Sequence, residues 1–401
     1  MKRKSEMKFT FKHTLTACCM AYITQAIVNN LPPLLFAVFN KQLGVSLEQL
    51  SLLIIINFGV QTAVDLASAK FVDKIGYRAG MMISAATNVV GLILLGILPF
   101  AMSSPFAGIV VCSCINAVGG GLAEVLVSPI VESMPNNEKA SAMSLLHSFY
   151  CWGHVGVVLL STLFFTAFGV ENWRFLAFIW VVVPLITFLM FTRVPVRMLN
   201  EDAETVPMKK LFTVKIFWVL LVLMICSGAA EQAISQWASF FAETGLNVSK
   251  TAGDILGTCF FAILMGTGRL LYGIFGAKLN LRRTLIFSAA CCVGAYMLVV
   301  FSPIPLLSLI GCGICGLTVA IMWPGVFSLS AVFYPAGGTA MFALLALGGD
   351  IGCAAGPGVV GAVSGLFEGE NSMKYGIFAA AVFPLLLLLL IAFMKKVKTE
   401  K

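Results

Sequence analysis

Apolar residues run along this chain in long blocks separated by short polar connections. A bilayer core about 30 Å thick needs about 20 apolar residues per helix. Twelve blocks reach that length, near residues 14–39, 47–70, 79–101, 105–132, 139–168, 173–193, 213–242, 251–277, 282–301, 304–333, 338–366 and 373–394. The pattern predicts an all-α membrane protein with twelve transmembrane helices. Composition agrees: 59% of the 401 residues are hydrophobic and 11% charged, with a mean hydropathy of +0.97, against roughly 25% charged in a soluble domain. The opening MKRKSEMKFTFKHTLTACCM places basic residues before an apolar run, as a signal peptide does. That run is too long and lacks a small-residue cleavage site, so it reads as the first span.

Placement of charge sets the topology. Lys and Arg in the two tails and alternate loops number 21, whereas the opposite loops hold only Lys41, Arg174, Lys250 and Lys374, and Arg269 lies inside a span. The positive-inside rule then puts both termini in the cytoplasm of a cell-membrane protein. The net charge of +8 is accounted for by this bias, so a nucleic-acid partner is not expected.

Several motif readings are excluded. The 12 cysteines are scattered through the spans and form no disulfide framework of the secreted kind. CGIC at 312–315 has redox spacing but no adjoining βαβ pattern, and buried cysteine ordinarily behaves as a small hydrophobe. Three histidines without a Cys/His cluster leave a metal no ligand set. GGG at 119–121 follows no strand and precedes no GK[ST], so it is not a phosphate loop. No cofactor is expected.

The longest polar stretch, VPVRMLNEDAETVPMKKL at 194–211, divides the chain into residues 1–193 and 212–401. The halves resemble one another. TQAIVNN in the first span aligns with EQAISQW in the seventh, and WGHVG in the fifth with GGDIG in the eleventh, pairing His154 with Asp350. Two parallel six-helix repeats are an arrangement of secondary transporters that rock about a midplane site.

Glu124 lies in the span NAVGGGLAEVLVSPIVESM. A carboxylate at the centre of a span costs roughly 2.5–3.5 kcal/mol, so it faces the bundle interior or a wet cavity. An acid buried without a cation favours its protonated form. Glu124 is therefore expected to carry a proton, to hydrogen-bond substrate hydroxyls, or to do both, with a purely structural bond as the alternative. Glu231 is the second such acid, expected in the outer half of the cavity as a substrate or cation contact or as a helix tie. Gln232, Gln236 and Trp237 surround it, mirrored by Gln25, Asn29 and Asn30. Amides offer the paired donors and acceptors that sugar hydroxyls need, and an indole offers an apolar face. The competing reading for the amides is interhelical bonding, and for Trp237 and Trp323 packing or an interfacial belt. His147 and His154 lie on one face of the fifth helix, two turns apart. Asp350 is expected to tie helices across the interface or to pair with a base near a gate.

AKFVDKIGYRAG at 69–80 resembles the cytoplasmic signature of the major facilitator superfamily, GxxxDRxGRR, with Asp73, Lys74, Gly76 and Arg78 in register. The second half has a worn copy, GRLLYGIFGAKLNLRR, with Arg269 in the place of Asp65. The resemblance implies that these residues form ion pairs and helix caps closing the cytoplasmic side in one state. Within the superfamily the chain resembles the fucose, galactose and glucose permease branch. EVLVSP at 124–129, LLHSFYCWG at 145–153, AIMWPGVFSL at 320–329 and GAAE ending at Glu231 resemble its patterns ETAANP, LxQxFNxxG, SIMFPTIFSL and GAE. The chain departs from the branch at Pro33, where the family has an acid, and at His147, where it has a sugar-binding glutamine.

The sequence thus points to a carrier, not an enzyme: a monomer moving a small polyhydroxylated solute, foremost a monosaccharide, by alternating access. Substrate contacts are expected at Glu124, Asn29, Asn30, Gln25, His147, Glu231, Gln232, Gln236, Trp237 and Trp323, ion coupling at Glu124 and Glu231, and gating at Asp65, Asp73, Lys74, Arg78, Arg269 and Asp350. Pro33 leaves proton symport, sodium symport and uniport open. The rival is a proton-coupled exporter of drugs or metabolites. NVS at Asn247 is a glycosylation sequon on the outer side, meaningful only in a eukaryote.

Overall fold

A computed structural model describes residues 9–134, 139–197, 208–276, 279–334, 338–369 and 371–394, and among these no strand occurs. Without water to bond backbone groups in a bilayer, each span satisfies its own as a helix. Twelve spans result when the bent first pair is taken as one. They are α1 (Phe11–Leu34 with Phe36–Leu43), α2 (Leu47–Ile75), α3 (Tyr77–Leu95), α4 (Pro105–Glu132), α5 (Lys139–Phe168) and α6 (Val170–Phe191). The second six are α7 (Lys215–Gly245), α8 (Lys250–Phe275), α9 (Leu281–Phe301), α10 (Pro305–Phe333), α11 (Gly338–Ser364) and α12 (Ser372–Phe393). Residues 198–207 of the polar stretch lie outside the described residues, as does the side chain of Asp73.

Local chemistry fixes the ends and bends. Ser104, Ser249 and Asn280 accept from the backbone N–H groups of Ala107, Ala252 and Arg283 at the starts of α4, α8 and α9, satisfying donors that a helix leaves open. The axis of α1 bends by 45° at Leu35, just after Pro32 and Pro33; having no N–H, the two prolines leave the carbonyls of Val28 and Asn29 without their ladder donors. Gly76 turns from α2 to α3 at φ 80°, a conformation that a side chain would strain.

Packing falls into two sets. α1 to α6 pack on each other and α7 to α12 on each other, while the sets meet through α2 on α11, α5 on α8 and α1 on α7. One guanidinium caps the sixth helix of each set. Arg78, opening α3, donates from Nη1 to Phe191 O at 2.8 Å and from Nη2 to Val194 O at 2.7 Å. Arg282, opening α9, donates from Nη2 to Ala392 O at 2.8 Å and from Nε to Ile391 O at 3.2 Å. Both neutralise the carbonyl end of a helix. Of the two roles expected of Arg78, the cap is the one it plays, inside its own set. Lys74 is exposed.

An even number of spans puts both chain ends on one face, called here the terminal face. The sets are joined toward the opposite, far face: Ser51 Oγ donates to Gly358 O at 3.2 Å, and Phe36 and Trp237 rings lie 5.4 Å apart.

Glycines bring α7 and α11 into backbone contact. A Cβ on Gly352 would lie 2.1 Å from Ile225 O, and one on Gly356 2.2 Å from Ala229 O. Gly356→Ala must push the helices apart, at a cost of about 1–3 kcal/mol. Its apparent melting temperature in detergent is expected to fall by a few degrees, whereas Gly294→Ala, facing open space within 4 Å, leaves it unchanged. Equal values for the two variants would contradict the close approach.

Candidate functional site

Polar side chains inside the spans gather into three groups around the junction of the two sets. In the first, Gln25 Nε2 of α1 donates to Glu124 Oε2 of α4 at 2.6 Å. Tyr22, one turn earlier on α1, meets Ser128 through its hydroxyl at 3.4 Å and the His147 ring at a centroid distance of 5.5 Å. Glu124 is half-buried and His147 exposed, although both lie within spans. His147 is also within electrostatic reach of Arg269 in the other set, so it faces the junction. The neutral Gln25 amide is the side chain that holds Glu124.

A second group surrounds Glu231. Arg269 Nη2 of α8 pairs with Glu231 Oε2 of α7 at 3.1 Å, and Arg269 Nη1 reaches Cys151 Sγ of α5 at 3.5 Å. Glu231 stands just past the middle of the Lys215–Gly245 helix, counted from Lys215. One expectation is corrected. Arg269, expected at a gate on the terminal face, sits at this depth as the counter-charge, with its Nε left without a partner. Gln232 Nε2 donates to Glu231 Oε1 at 3.3 Å and Gln236 Nε2 to Gln232 Oε1 at 3.0 Å.

The third group joins α2 to α11. Asp65 lies on α2 and Asp350 on α11, the helices that pack on one another across the two sets, and both are in electrostatic contact with Glu124. Asp350 thus faces an acid of the other set. Its repeat counterpart His154 is enclosed at 1% exposure with Nε2 unpartnered among the described atoms.

Several expected wall residues make contacts between helices, and Asn29 and Gln236 also line a cavity between the sets. Trp237 is fully enclosed, donates to Pro357 O at 3.0 Å and packs on Phe36 and Phe240. Asn29 Oδ1 accepts from Gln61 at 3.0 Å and Asn57 at 3.2 Å, while its backbone oxygen accepts from Gln236. Asn30 returns its amide to Ala26 O at 2.8 Å. These amides act as interhelical ties because unsatisfied amide groups in hydrocarbon are costly. Trp323 is half-buried, edged against Phe327 and lying on Gly349 beside Asp350.

Sequence reasoning missed Tyr150. Its hydroxyl reaches the amides of Asn29 and Asn30 and lies in electrostatic contact with both Glu231 and Glu124. It occupies the asparagine position of the branch pattern around His147, which is the signal that could have found it. Gln61, four residues after Asn57 on α2, is a second omission, legible as paired amides on one helix face. Among the described residues no group of three or more His, Cys, Asp or Glu is placed to hold a metal.

The sequence profile described as Major Facilitator Superfamily matches residues 15–357. The chain belongs to the major facilitator superfamily. Solved members share its fold. A D-xylose-proton symporter superposes with a TM-score of 0.78 at 12% identity, covering 96% of this chain and 97% of that one. A bacterial homolog of the human lysosomal transporter Spinster, inward-facing and occupied, gives 0.74 at 15% identity, covering 95% and 96%. The Escherichia coli fucose:proton symporter gives 0.65 at 15% identity, covering 96% and 99%. No protein with a curated description is similar to the chain in sequence. At these identities the structural likeness concerns the fold, and within the superfamily that fold is a transporter's.

The Glu231–Arg269 pair has a measurable consequence. Glu231→Gln leaves a buried guanidinium uncompensated, and breaking such a pair from one side costs about 3–5 kcal/mol. We expect a clear loss of thermal stability in Glu231→Gln, largely recovered in the double variant Glu231→Gln with Arg269→Gln. Additive losses in the double-mutant cycle would show that the two side chains do not depend on one another.

Proposed function

We propose that this superfamily member carries a small polyhydroxylated solute, foremost a monosaccharide, through alternating exposure of the junction between its two sets of helices. The observation that carries the reading is the Gln25–Glu124 pair, an amide and a carboxyl held together at 2.6 Å, with Tyr22 one turn earlier on α1 meeting Ser128 and the His147 ring. Such a wall offers donors, acceptors and an aromatic face at once, as sugar hydroxyls and a pyranose ring require. The fucose and xylose symporters among the structural neighbours support the same class.

In this reading the two rocking bodies are residues 1–193 and 212–401, joined by 194–211. Both termini are cytoplasmic, the membrane is the cell membrane, and the carrier works as a monomer. Glu124 contacts solute, coupling ion or both. Glu231 acts through Arg269, while Asp65, Asp73, Lys74, Arg78 and Asp350 belong to the machinery of opening. Proton coupling gains from the grouping of Asp65, Glu124 and Asp350; sodium symport and uniport remain alternatives. Each ligand shifts the two-state equilibrium only by its differential affinity for the two states.

A second reading rests on a specific observation. Asp65, Glu124 and Asp350 lie in mutual electrostatic contact, while the nearby Arg269 is engaged by Glu231. A cationic solute exported against protons would suit that grouping.

Counterflow of labelled glucose, galactose, fucose and mannose in proteoliposomes, wild type beside Glu124→Gln, tests both. Exchange of a sugar by the wild type is the expected result. Retained exchange in Glu124→Gln without gradient-driven accumulation makes Glu124 the coupling group, whereas loss of exchange makes it a solute ligand. No sugar exchange, with uptake of an organic cation driven by an outward proton gradient, transfers the assignment to the exporter.

A further inference from the structure

Away from the polar junction, the far face holds a second buried charged centre. Asp254, at the start of α8, is completely enclosed. It receives the Ser239 hydroxyl from α7, the Lys250 ammonium at 3.2 Å from its own helix and the Thr162 hydroxyl at 3.2 Å from α5. Lys250 also donates to Leu34 O of α1 at 2.6 Å and lies 5.3 Å over the Phe165 ring of α5. Wide helical turns of the π type, Phe241–Gly245 and Asp254–Cys259, flank the centre, and such turns recur at functional sites.

We propose that this centre is the latch of the far face. Its contacts divide cleanly. Ser239, Lys250 and Asp254 belong to the second set and move together, whereas Thr162, Leu34 and Phe165 belong to the first. Opening therefore leaves the Lys250–Asp254 ion pair intact and exchanges only two hydrogen bonds and a ring contact for water. A cavity of about 180 Å³ lined by Thr162, Phe165, Lys250 and Asp254 lies beside the bonds that must be replaced. The energetic weight falls on these buried bonds. Lys41 and Glu243 also pair across the sets, but the Lys41 side chain is 59% exposed, and a pair so open to solvent contributes little.

The latch requires two states of the carrier and no particular solute, so its test stands apart from sugar transport. Hydrogen exchange is followed by mass spectrometry on the full chain in lipid nanodiscs for wild type, Thr162→Val, Ser239→Ala and Lys41→Met. Thr162→Val and Ser239→Ala each remove one hydroxyl from Asp254, the first across the sets and the second within one. Losing a hydrogen bond to a charged group is expected to shift the open population about tenfold. Thr162→Val should then raise exchange by that factor in residues 30–45 and 160–172 as well as 241–254. Ser239→Ala should confine any change to 241–254, and Lys41→Met should change neither region. Equal effects of Thr162→Val and Ser239→Ala, no effect of Thr162→Val, or a comparable opening by Lys41→Met would each overturn the latch.

Discussion

A charge inside a bilayer must be compensated wherever it goes, and that constraint orders the polar interior of this carrier. Among the described residues, the opposite-charge contacts that are largely buried are made within one set of helices: Arg269 with Glu231, and Lys250 with Asp254. Glu124, lacking a cation, is held by an amide of its own set. Links across the moving interface are of a cheaper kind. They include hydroxyl to carbonyl at Ser51, hydroxyl to carboxylate at Thr162, amide to carbonyl at Gln236 and guanidinium to thiol at Cys151. Water can replace each of these at modest net cost, whereas separating a buried ion pair costs several kcal/mol. Among the described residues the two largely enclosed ion pairs thus lie inside one set, and the pair between the sets, Lys41 with Glu243, is open to solvent at Lys41.

Rigidity inside each set complements weak joining between them. The α7–α11 glycines allow backbone to meet backbone, and the Arg78 and Arg282 caps fasten the third helix of each set to its sixth. Helix axes are interrupted at several places. α1 bends beside its proline pair, and α10 is interrupted between Val319 and Met322, just ahead of Pro324. Elsewhere packed interiors resist continuous deformation.

The spans were legible in the sequence because their length is a property of a one-dimensional run, and the price of an intramembrane acid flagged Glu124 and Glu231 for the same reason. Repeat alignment also held at the caps: Arg78 and Arg282 occupy matching places in the two signature copies. What was not legible is direction. Trp237 and Asn29 are polar or amphipathic residues on a helix crossing the centre, and composition cannot say whether they face the cavity or a neighbouring helix. Nor could spacing reveal that Arg269 compensates Glu231, since that contact depends on how α7 packs against α8. Lys250 read as a loop charge because it stands at the edge of a span, four residues ahead of the acid it neutralises.

Pro33 gathers these strands. The permease branch that the sequence resembles carries an acid there, and its loss first reads as the loss of a titratable group. In the folded chain the same residue, with Pro32, breaks α1 so that the last carbonyl before the bend, Leu34 O, meets the ammonium of Lys250. A position that carries charge in relatives has become part of the geometry that closes the far face. Acids are found elsewhere, at Asp65 on α2 and Asp350 on α11, the two helices that pack on one another across the sets, so their charge bears directly on how the two sets meet.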